Sequence, residues 1–372
     1  MKKILFLIHD LGHGGAEKVL VNLVNNMDRT KFDISLTVLF GGGVNEQFLR
    51  PDIHFRAVWP KALPGNSHVM KLLSPERLHA LCVKERYDIE VSYLEGPSAR
   101  IISGCPDPET KKVCWIHVEQ KTTERAAQSF RSADEAAQCY NRFDRIIAVS
   151  RTVQEDFASL LPIRVPIDVL YNTNETAQIL QLAQEPAEAE LFPQAGVNLI
   201  GVGKLVKTKG FDRLARIHVR LRAEGYPVHT YILGVGPDQT QIQSYLEQNG
   251  AEESFTFLGY DTNPYRYVAR ADLFVCSSLA EGFSTAATEA LIVGTPVCTV
   301  EVSGMREMLG DQNEYGIVTE NNEEALYQGI RTLLDDPALL AHYARQAERR
   351  GRDFRTEETV RAVEEMLDGL TQ

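Results

Sequence analysis

EGFSTAATEALIVGTPV (residues 281–297) contains a loop, a helix and the start of a strand in one continuous stretch. Ser284 is a residue type that caps helices, and the helix predicted after it extends to about residue 293. The stretch lies between DLFVCSS (272–278) and the run TPVCTV (295–300), which are both typical of buried strands. This order of strand, helix and strand indicates a parallel α/β sheet.

The same alternation of short apolar runs and amphipathic segments continues on both sides of this stretch. In the second half, strands are also predicted at 197–203, 229–236 and 254–260, and helices at about 210–224, 237–249, 303–309 and 322–335. In the first half, strands are predicted at 3–9, 32–40, 87–93, 111–117 and 145–150. A Gln/Glu/Ala-rich stretch, 174–196, separates the halves and is predicted to be a linker. We therefore expect two doubly wound α/β domains.

The predicted domains are residues 1–172 and residues 173–354, which is consistent with a chain of 372 residues. The last segment, about 338–370, is predicted to be helical, and the helix of about residues 355–372 is expected to pack back on the first domain. Ligands of doubly wound sheets bind beyond the carboxyl ends of the strands, so two such domains facing each other would form a binding cleft.

The composition is that of a soluble globular protein, with 44% hydrophobic and 24% charged residues. A net charge of −12 gives no general attraction to nucleic acid, so any bound anion must meet a local group of donors. The six cysteines include no C-x-x-C pair, which argues against zinc ribbons and fits a reducing cytoplasm. The N-terminal MKKILFLIHDLGHGG predicts a first strand rather than a signal peptide, and no segment is long and apolar enough to span a membrane.

Two glycine-containing strand ends indicate a phosphate site. In GVGKLVKTKG (201–210), Gly203 allows a tight turn, and Lys204 and Lys209 follow in one loop. Gly234 has the same place after another strand, in LGVGPD (233–238). Lysines beside exposed backbone N–H groups can bind a diphosphate. The alternative is that the two lysines are an ordinary solvated surface pair.

The helix after Ser284 offers further groups for the same ligand. The backbone N–H groups at a helix start have no partner within the helix, so they favour a phosphate. Glu281 precedes this helix, and Glu289 lies about one and a half turns inside it. Carboxylates only accept hydrogen bonds, and sugar or ribose hydroxyls would satisfy them. The alternative for Glu289 is that it faces solvent.

Together these stretches resemble the retaining glycosyltransferases of family 4, which have the GT-B fold. The resemblance rests on GVGKLVKTKGF, LGVGPD and EGFSTAATEALIVGTPV in the second half and on GHGGAEKVL (12–20) in the first. It extends over nearly the whole chain and is nearest to bacterial enzymes that build surface polysaccharides or lipid-linked glycans. It implies an α/β GT-B fold, in which two doubly wound Rossmann-like domains face a central cleft. The first domain would bind the acceptor and the second the nucleotide sugar.

The resemblance implies roles for individual residues of the second domain. Glu289 would bind the ribose hydroxyls of the nucleotide, and Glu281 would bind hydroxyls of the donor sugar. The sugar and the diphosphate would be held by the backbone N–H groups of Gly282, Phe283, Ser284 and Thr285. Lys209 would neutralise the departing diphosphate. Lys204 stands where many members of the family have arginine, so it keeps the charge but loses the bidentate geometry.

In the first domain, the resemblance implies that Gly14 and Gly15 let a loop approach the diphosphate and the acceptor. His117, in WIHVE (115–119), would lie near the donor sugar. The alternative for His117 is a structural histidine whose hydrogen bonds are satisfied. By the resemblance, the expected catalytic residues are His117, Lys209 and Glu281.

The implied reaction moves a sugar from a nucleotide diphosphate, most often UDP, to an acceptor hydroxyl with retention of the anomeric configuration. The sequence contains no D-x-D, so lysines and a helix start are expected to replace a divalent metal, and no cofactor is expected. The acceptor would be a glycan or a polyprenyl-linked glycan. Residues 54–86 combine basic and apolar side chains and could contact an anionic membrane surface from the cytoplasmic side. The alternative for this stretch is an ordinary loop and helix with solvated charges.

Three other functions remain open from the sequence. A nucleotide-sugar epimerase has the same architecture and would rearrange its substrate without an acceptor. A non-catalytic two-domain sugar-binding protein would also close two α/β lobes, although the periplasmic proteins of this kind need an export signal. A dinucleotide oxidoreductase is disfavoured because GHGGAE does not fit G-x-G-x-x-G.

Overall fold

The computed structural model describes residues 1–61, 70–187, 192 and 196–371. The chain divides into two compact units, each with its own sheet. Unit 1 is Met1–Asn174 together with Thr356–Gln372, and unit 2 is Glu175–Arg355. No helix among the described residues has both the length and the apolar character that crossing a bilayer requires.

Unit 1 contains a seven-stranded sheet in the order β3-β2-β1-β4-β5-β6-β7, in which every paired strand is parallel to its neighbour. Its strands are β1 Lys2–Ile8, β2 Phe32–Phe40, β3 His54–Trp59, β4 Ile89–Ser92, β5 Lys111–Ile116, β6 Arg145–Ala148 and β7 Ile167–Val169. The strand order changes direction between β1 and β4, so the loops after these two strands border a crevice at the carboxyl edge of the sheet.

The helices of unit 1 connect these strands and cover the two faces of the sheet. They are α1 Gly15–Asn26, α2 Pro75–Cys82, α3 Pro97–Ile102, α4 Thr123–Ala126, α5 Ala133–Tyr140 and α6 Arg151–Leu160. The central strand β1 has almost no exposed apolar side chain, which is typical of a parallel strand covered on both faces.

Unit 2 contains a six-stranded parallel sheet in the order β10-β9-β8-β11-β12-β13. Its strands are β8 Val197–Val202, β9 Val228–Leu233, β10 Phe255–Gly259, β11 Leu273–Cys276, β12 Val297–Val300 and β13 Ile317–Thr319. The strand order changes direction between β8 and β11. The loops after β8 and β11 therefore meet at the place where doubly wound sheets bind their ligands.

The helices of unit 2 are α7 Thr176–Ala183, α8 Phe211–Ala223, α9 Gln239–Gln248, α10 Tyr265–Val268, α11 Thr285–Ile292, α12 Met305–Leu309, α13 Glu323–Asp335 and α14 Pro337–Gly351. Leu214 of α8 and Ile330 of α13 are fully buried in one core cluster with Leu199 and Leu273 of the sheet. This core fixes the start of α8, which directly follows the loop that carries Lys209.

The last helix, α15 Thr356–Gly369, belongs to unit 1, where it contacts α1. Glu364 of α15 accepts a hydrogen bond from the backbone N–H of Asp28 at 2.6 Å, and Lys2 donates to Asp368 at 2.9 Å. Both contacts tie the end of the chain to elements near its beginning.

The predicted α/β class with two doubly wound parallel sheets is confirmed, and all ten predicted strands are present. The edge strands β3, β7 and β13 were not predicted. The stretch predicted as a linker includes α7, whose Ile179 and Ala183 are buried, so that prediction was wrong for these residues. The C-terminal segment is two helices, because the backbone leaves the α-helix after Gly351.

Candidate functional site

In unit 2, the loops after β8 and β11 bring two of the predicted catalytic residues into direct contact. Lys209 donates a hydrogen bond from Nζ to Oε1 of Glu281 at 2.6 Å. Ser278 donates from Oγ to the same carboxylate oxygen at 2.5 Å. The side chain of Glu281 is 12% exposed and that of Lys209 is 29% exposed, so the ion pair is partly shielded from solvent. Shielding strengthens the attraction between the two charges.

The surroundings of Lys209 keep its amine charged. Burial by itself would lower the pKa of Lys209, but the charge of Glu281 and the hydrogen bond to it raise this pKa above its ordinary value. Lys204 differs, because it is exposed and its amine has no hydrogen bond or ion pair among the described residues. Lys209 is thus a cation in a fixed place, whereas Lys204 is a solvated one.

The glycines after β8 and β9 are required by the backbone. Gly203 has φ +156° and Gly234 has φ +145°, values that side chains disfavour. A Cβ atom on Gly234 would lie 1.9 Å from the carbonyl oxygen of Gly203. A Cβ atom on Gly203 would in turn touch the side chain of Lys209 at 3.4 Å. Gly234 therefore allows the loops after β8 and β9 to approach each other closely, and Gly203 lies against the side chain of Lys209.

The start of α11 has the cap that the sequence predicts. Ser284 accepts a hydrogen bond from the backbone N–H of Ala287 at 3.3 Å, and Thr285 is the first helical residue. The ring of Phe283 is buried and lies 6.3 Å from the ring of Phe354 in an edge-on arrangement. Its contribution to a ligand would therefore come from its backbone, as is expected for Gly282.

Glu289 is buried inside α11, with 7% of its surface exposed. The alternative that Glu289 faces solvent was therefore wrong. Tyr265 of α10 donates a hydrogen bond to Glu289 Oε1 at 3.3 Å. A hydroxyl partner is thus present in the chain itself, and binding of ribose hydroxyls by this carboxylate stays a prediction.

His117 directly follows β5 in unit 1 and is 6% exposed. Its ring lies 5.0 Å from the ring of Tyr93, and its Nε2 atom has no hydrogen-bond partner among the described residues. Burial lowers the pKa of His117 to about 3, although a hydrogen bond to the backbone of Tyr93 opposes this shift. The imidazole is therefore neutral at pH 7. A structural histidine with satisfied hydrogen bonds would have a partner for Nε2, so the structure does not fit that alternative.

The two glycines predicted for the acceptor side lie at the start of α1. Gly14 caps this helix and Gly15 is its first residue. A Cβ atom on Gly14 would lie 1.9 Å from Oε2 of Glu17, so the carboxylate of Glu17 occupies the space beside the loop. Gly14, Gly15 and His117 belong to unit 1, and the other candidate residues belong to unit 2.

Several polar residues beside the candidates could not be identified from the sequence. Ser278 holds Glu281 in unit 2, as described above, and Arg213 of α8 donates to the backbone carbonyl of Ser278 at 2.8 Å. In unit 1, Glu95 accepts a hydrogen bond from the backbone N–H of His117 at 2.9 Å. Burial raises the pKa of Glu95, and hydrogen bonds oppose this rise. Ser278 and Glu95 follow strands, which was the only signal for them in the sequence, and Arg213 of α8 had none.

One group of described residues has side chains that could hold a metal ion, and it includes none of the candidate residues. His79, Glu90 and Cys105 of unit 1 place their ligand atoms within 4.8 Å of one another. His79 and Glu90 already form a buried hydrogen bond of 2.8 Å between Nε2 and Oε2. Burial alone would lower the pKa of His79, but hydrogen bonds with Cys105 and Glu90 raise it to about 9. A charged histidine thus compensates the buried carboxylate.

The basic stretch of residues 54–86 uses several of its cations within unit 1. Arg56, in β3, donates to the backbone carbonyl of Cys82, and Arg86 pairs with Asp107 at 2.6 Å. Lys84 donates to the backbone carbonyl of Ala80, in α2, at 2.9 Å. Leu72 is 78% exposed. Residues 62–69 of this stretch lie outside the described residues.

Two family models match the chain, one in each half. The model described as Glycosyltransferase Family 4 matches residues 13–178, and the model described as Glycosyl transferases group 1 matches residues 187–350. The chain belongs to the group 1 glycosyltransferases of family 4. This membership confirms the predicted family and the prediction that the protein is an enzyme that transfers sugars.

A curated relative covers this glycosyltransferase almost completely. The N-acetylgalactosamine-N,N'-diacetylbacillosaminyl-diphospho-undecaprenol 4-alpha-N-acetylgalactosaminyltransferase of Campylobacter jejuni is 28% identical over 95% of this chain and 96% of its own length. An uncharacterized glycosyltransferase of Haemophilus influenzae is 23% identical over 97% of this chain and 98% of its own length.

Solved structures share the GT-B fold with this glycosyltransferase. Anabaena HepE in complex with UDP has a TM-score of 0.76 at 20% identity, over 99% of this chain and all of that one. The sucrose-phosphate synthase of Thermosynechococcus elongatus has a TM-score of 0.79 at 16% identity, over 100% and 99% of the two chains. At these identities the similarity shows the fold alone, and the predicted GT-B fold is thereby confirmed.

Proposed function

We propose that this glycosyltransferase transfers a sugar from a UDP-sugar to a hydroxyl of a lipid-linked glycan, with retention of configuration and without a divalent metal. The observation that carries the proposal is the contact of 2.6 Å between Lys209 Nζ and Glu281 Oε1. It lies where the strand order of unit 2 changes direction, between β8 and β11. A fixed cation next to a fixed hydrogen-bond acceptor suits a ligand that is anionic on one side and rich in hydroxyls on the other.

The choice of UDP and of a lipid-linked acceptor is supported by similar proteins. HepE was crystallised with UDP and also with UDP-glucose, and it shares the fold over nearly all of this chain. The Campylobacter jejuni relative is named for an acceptor on diphospho-undecaprenol. A shared family and a similar length make the same two substrate classes the first ones to test.

The proposed chemistry depends on charge that appears on the diphosphate as the sugar leaves. Lys209 and the backbone N–H groups of residues 282–285 stabilise this charge, and Lys204 adds a second cation from solvent. Glu281 accepts hydrogen bonds from the donor sugar and holds it in place while the bond to the phosphate breaks. Glu289 does the same for the ribose. In this proposal the cations and amides take the place of a divalent metal.

Retention without a covalent intermediate requires the acceptor hydroxyl to attack the face from which the diphosphate leaves. The departing phosphate oxygen accepts the proton of that hydroxyl. His117 is neutral, so its Nε2 atom can form a hydrogen bond with a sugar hydroxyl. This bond adds no charge next to an oxocarbenium-like centre. Gly14 and Gly15 carry no side chain at the start of α1, so this loop can approach the acceptor once the carboxylate of Glu17 moves aside.

An acceptor in a membrane requires the enzyme to come to the membrane surface. In residues 54–86, the backbone carbonyls of Lys71 and Leu72 accept hydrogen bonds from Arg131, but the side chain of Leu72 is exposed and lies near the cations Lys61 and Lys71 in the sequence. We propose peripheral contact with anionic lipid through this stretch on the cytoplasmic side. Vesicle co-sedimentation at low salt tests this part, and equal recovery with anionic and with neutral vesicles would refute it.

A donor screen tests the proposed reaction. The purified enzyme is incubated with a panel of nucleotide sugars, with and without mixed polyprenyl-diphosphate glycans, in the presence of EDTA. We expect nucleotide release from one UDP-sugar that depends on the acceptor, and NMR of the product should show the anomeric configuration of the donor. Rearrangement of the sugar without an acceptor would favour the epimerase alternative, and loss of activity in EDTA would refute metal independence.

A further inference from the structure

Arg213 is a buried arginine of unit 2 whose contacts differ from those of the other arginines on its helix. It is 5% exposed, and it lies in the first turn of α8. Nε donates to the backbone carbonyl of Ser277 at 2.7 Å, Nη2 to that of Ser278 at 2.8 Å, and Nη1 to Oδ1 of Asn321 at 2.9 Å. All three acceptors are formally neutral.

The charge of this guanidinium has no direct carboxylate partner. No ion pair within 4.0 Å joins Arg213 to any acid of the described residues. By contrast, Arg216, one turn further along α8, pairs with Asp212 at 3.1 Å and with Glu323 at 2.7 Å, and its side chain is partly exposed. Burial of a cation without an acid is unfavourable, so stability alone is a poor reason for an arginine at position 213.

The carbonyls that Arg213 binds belong to the loop that carries the candidate site. Ser277 and Ser278 directly follow β11 and precede Glu281 by a few residues. The hydroxyl of Ser278 donates to Glu281 Oε1 at 2.5 Å. The hydroxyl of Ser277 donates to the backbone carbonyl of Lys209 at 2.9 Å. A continuous series of hydrogen bonds therefore joins Arg213 to both members of the Lys209–Glu281 pair.

A further backbone contact joins the same two loops. The N–H of Leu279 donates to the carbonyl of Thr208 at 2.7 Å. Gly210, between Thr208 and Arg213, has φ +64°, and a Cβ atom there would lie 2.1 Å from the carbonyl oxygen of Ser277. The glycine lets the start of α8 approach the loop after β11 closely enough for Arg213 to reach two consecutive carbonyls.

We propose that Arg213 is a positioning residue for sugar transfer, which holds the loop after β11 so that Glu281 and Lys209 keep their separation. This inference rests on the proposed function, because it assumes that the pair contacts the donor. A planar guanidinium suits this task, since its donors point in fixed directions to three acceptors, whereas the single ammonium group of lysine has no such fixed geometry.

A positioning residue should affect turnover more than donor binding. Contacts to the ribose and the nucleotide remain when the loop loosens, but the pair is misplaced as charge develops on the diphosphate. A displacement of about 1 Å can lower a rate by about 100-fold. We expect Arg213→Ala to lower kcat per folded molecule by about 10- to 100-fold, while KM for the donor changes by less than about threefold.

The experiment uses the full chain and the donor identified in the screen. Arg213→Ala, Arg213→Lys and Ser278→Ala are compared with Arg216→Met, which removes surface ion pairs from the same helix. The folded fraction is measured by circular dichroism at the assay temperature, and kcat is expressed per folded molecule. Guanidinium ion is then added to Arg213→Ala as a chemical replacement for the lost group.

We expect guanidinium to restore part of the kcat of Arg213→Ala, Arg213→Lys to stay well below wild type, and Arg216→Met to keep wild-type kcat. If Arg213→Ala does not fold, Ser278→Ala and Arg213→Lys decide, because Ser278→Ala removes only the hydroxyl that binds Glu281 and Arg213→Lys keeps a cation at position 213. Wild-type kcat per folded molecule in Arg213→Ala, or in both of those variants, would overturn the inference. Absence of any donor-dependent transfer by the wild-type enzyme would instead refute the proposed function.

Discussion

At the scale of single residues, the account depends on the fixed position of the Lys209 amine. Lys209 is the best-placed cation of the candidate site, because Glu281 holds its Nζ atom at 2.6 Å. Lys207 belongs to the same short turn but is exposed. The two lysines therefore provide a comparison between a positioned cation and a solvated one.

Lys209→Met should lower kcat by about 100- to 1000-fold, since one lost donor to a developing anion costs about 2.7–4 kcal/mol. Donor affinity should fall much less, because the ribose and base contacts remain. Steady-state kinetics and calorimetric titration with the donor measure the two effects, and Lys207→Met is the matched control. Wild-type turnover of Lys209→Met would remove Lys209 from the mechanism.

The buried pair of His79 and Glu90 predicts a specific pH dependence of stability. Against the lowering effect of burial, hydrogen bonds with Cys105 and Glu90 raise the pKa of His79 in the folded chain from its ordinary value of 6.5 to about 9. A raised pKa contributes stability that is fully present below about pH 6.5 and is lost as the pH rises through about 9. His79→Gln should therefore cost on the order of 1–3 kcal/mol at pH 6, and this difference from wild type should shrink by pH 9.5.

Urea unfolding between pH 6 and pH 9.5 measures this difference. His54→Gln is the control, because the side chain of His54 is 70% exposed in the same unit. A difference between wild type and His79→Gln that stays constant or grows toward high pH would contradict the assigned role of the pair.

At the scale of structural elements, the interior strands of both sheets and the edge strand β10 could be predicted, whereas the other three edge strands could not. Strands such as β1 and β11 are continuous apolar runs because both faces are covered. The edge strand β3 has only partly buried and exposed side chains, and β13 has three residues, so neither gives a clear apolar run. Helix α7 was missed because its sequence, TAQILQLA, lies in a stretch whose overall composition resembles a linker.

The residues of the candidate site also fall into two groups, those that the sequence could predict and those that it could not. Residues in the glycine loops and around Glu281 could be found because they stand at strand ends in a recognisable order. Ser278 and Arg213 could not, since their role depends on which carbonyl or carboxylate they meet across two loops. Contacts between residues more than 60 positions apart, as for Arg213 and Ser277, have no signature in a single sequence.

The glycine turn after β9 leads to a prediction about how the loops after β8 and β9 pack. Gly234→Ala would place a methyl group against the Gly203 carbonyl, so the loops after β8 and β9 must separate. We expect a loss of about 1–3 kcal/mol in stability and weaker donor binding, because the loop after β8 forms one side of the proposed diphosphate site. Thermal unfolding and donor titration measure both effects.

Gly250→Ala is the control for this variant. Gly250 also has a positive φ of +60°, but a Cβ atom there would meet no atom within 4 Å. It should lose only the cost of the backbone conformation and keep full donor affinity. Equal effects of the two substitutions would show that the close approach between Gly203 and Gly234 has no special importance.

At the scale of the whole molecule, the C-terminal helix α15 stabilises the unit in which the chain begins. Leu367 of α15 is fully buried, and Asp368 binds Lys2 at the start of β1. Leu367→Ala should cost about 2–5 kcal/mol and should act on unit 1 rather than on unit 2. Hydrogen exchange followed by mass spectrometry should show faster exchange in β1 and α1, with unit 2 unchanged.

Leu180→Ala is the matched control, because Leu180 is 44% exposed on α7 and should be neutral in both units. Faster exchange of unit 2 in Leu367→Ala would mean that α15 belongs energetically to the other half of the chain.

The most direct test of the account is a crystal structure of the enzyme with a bound UDP-sugar. We predict that the diphosphate contacts Lys209 Nζ and the backbone N–H groups of residues 282–285, that the ribose hydroxyls bind Glu289, and that Glu281 binds the sugar. A donor bound in unit 2 away from Lys209 and from the start of α11, or bound only to unit 1, would contradict the central claim.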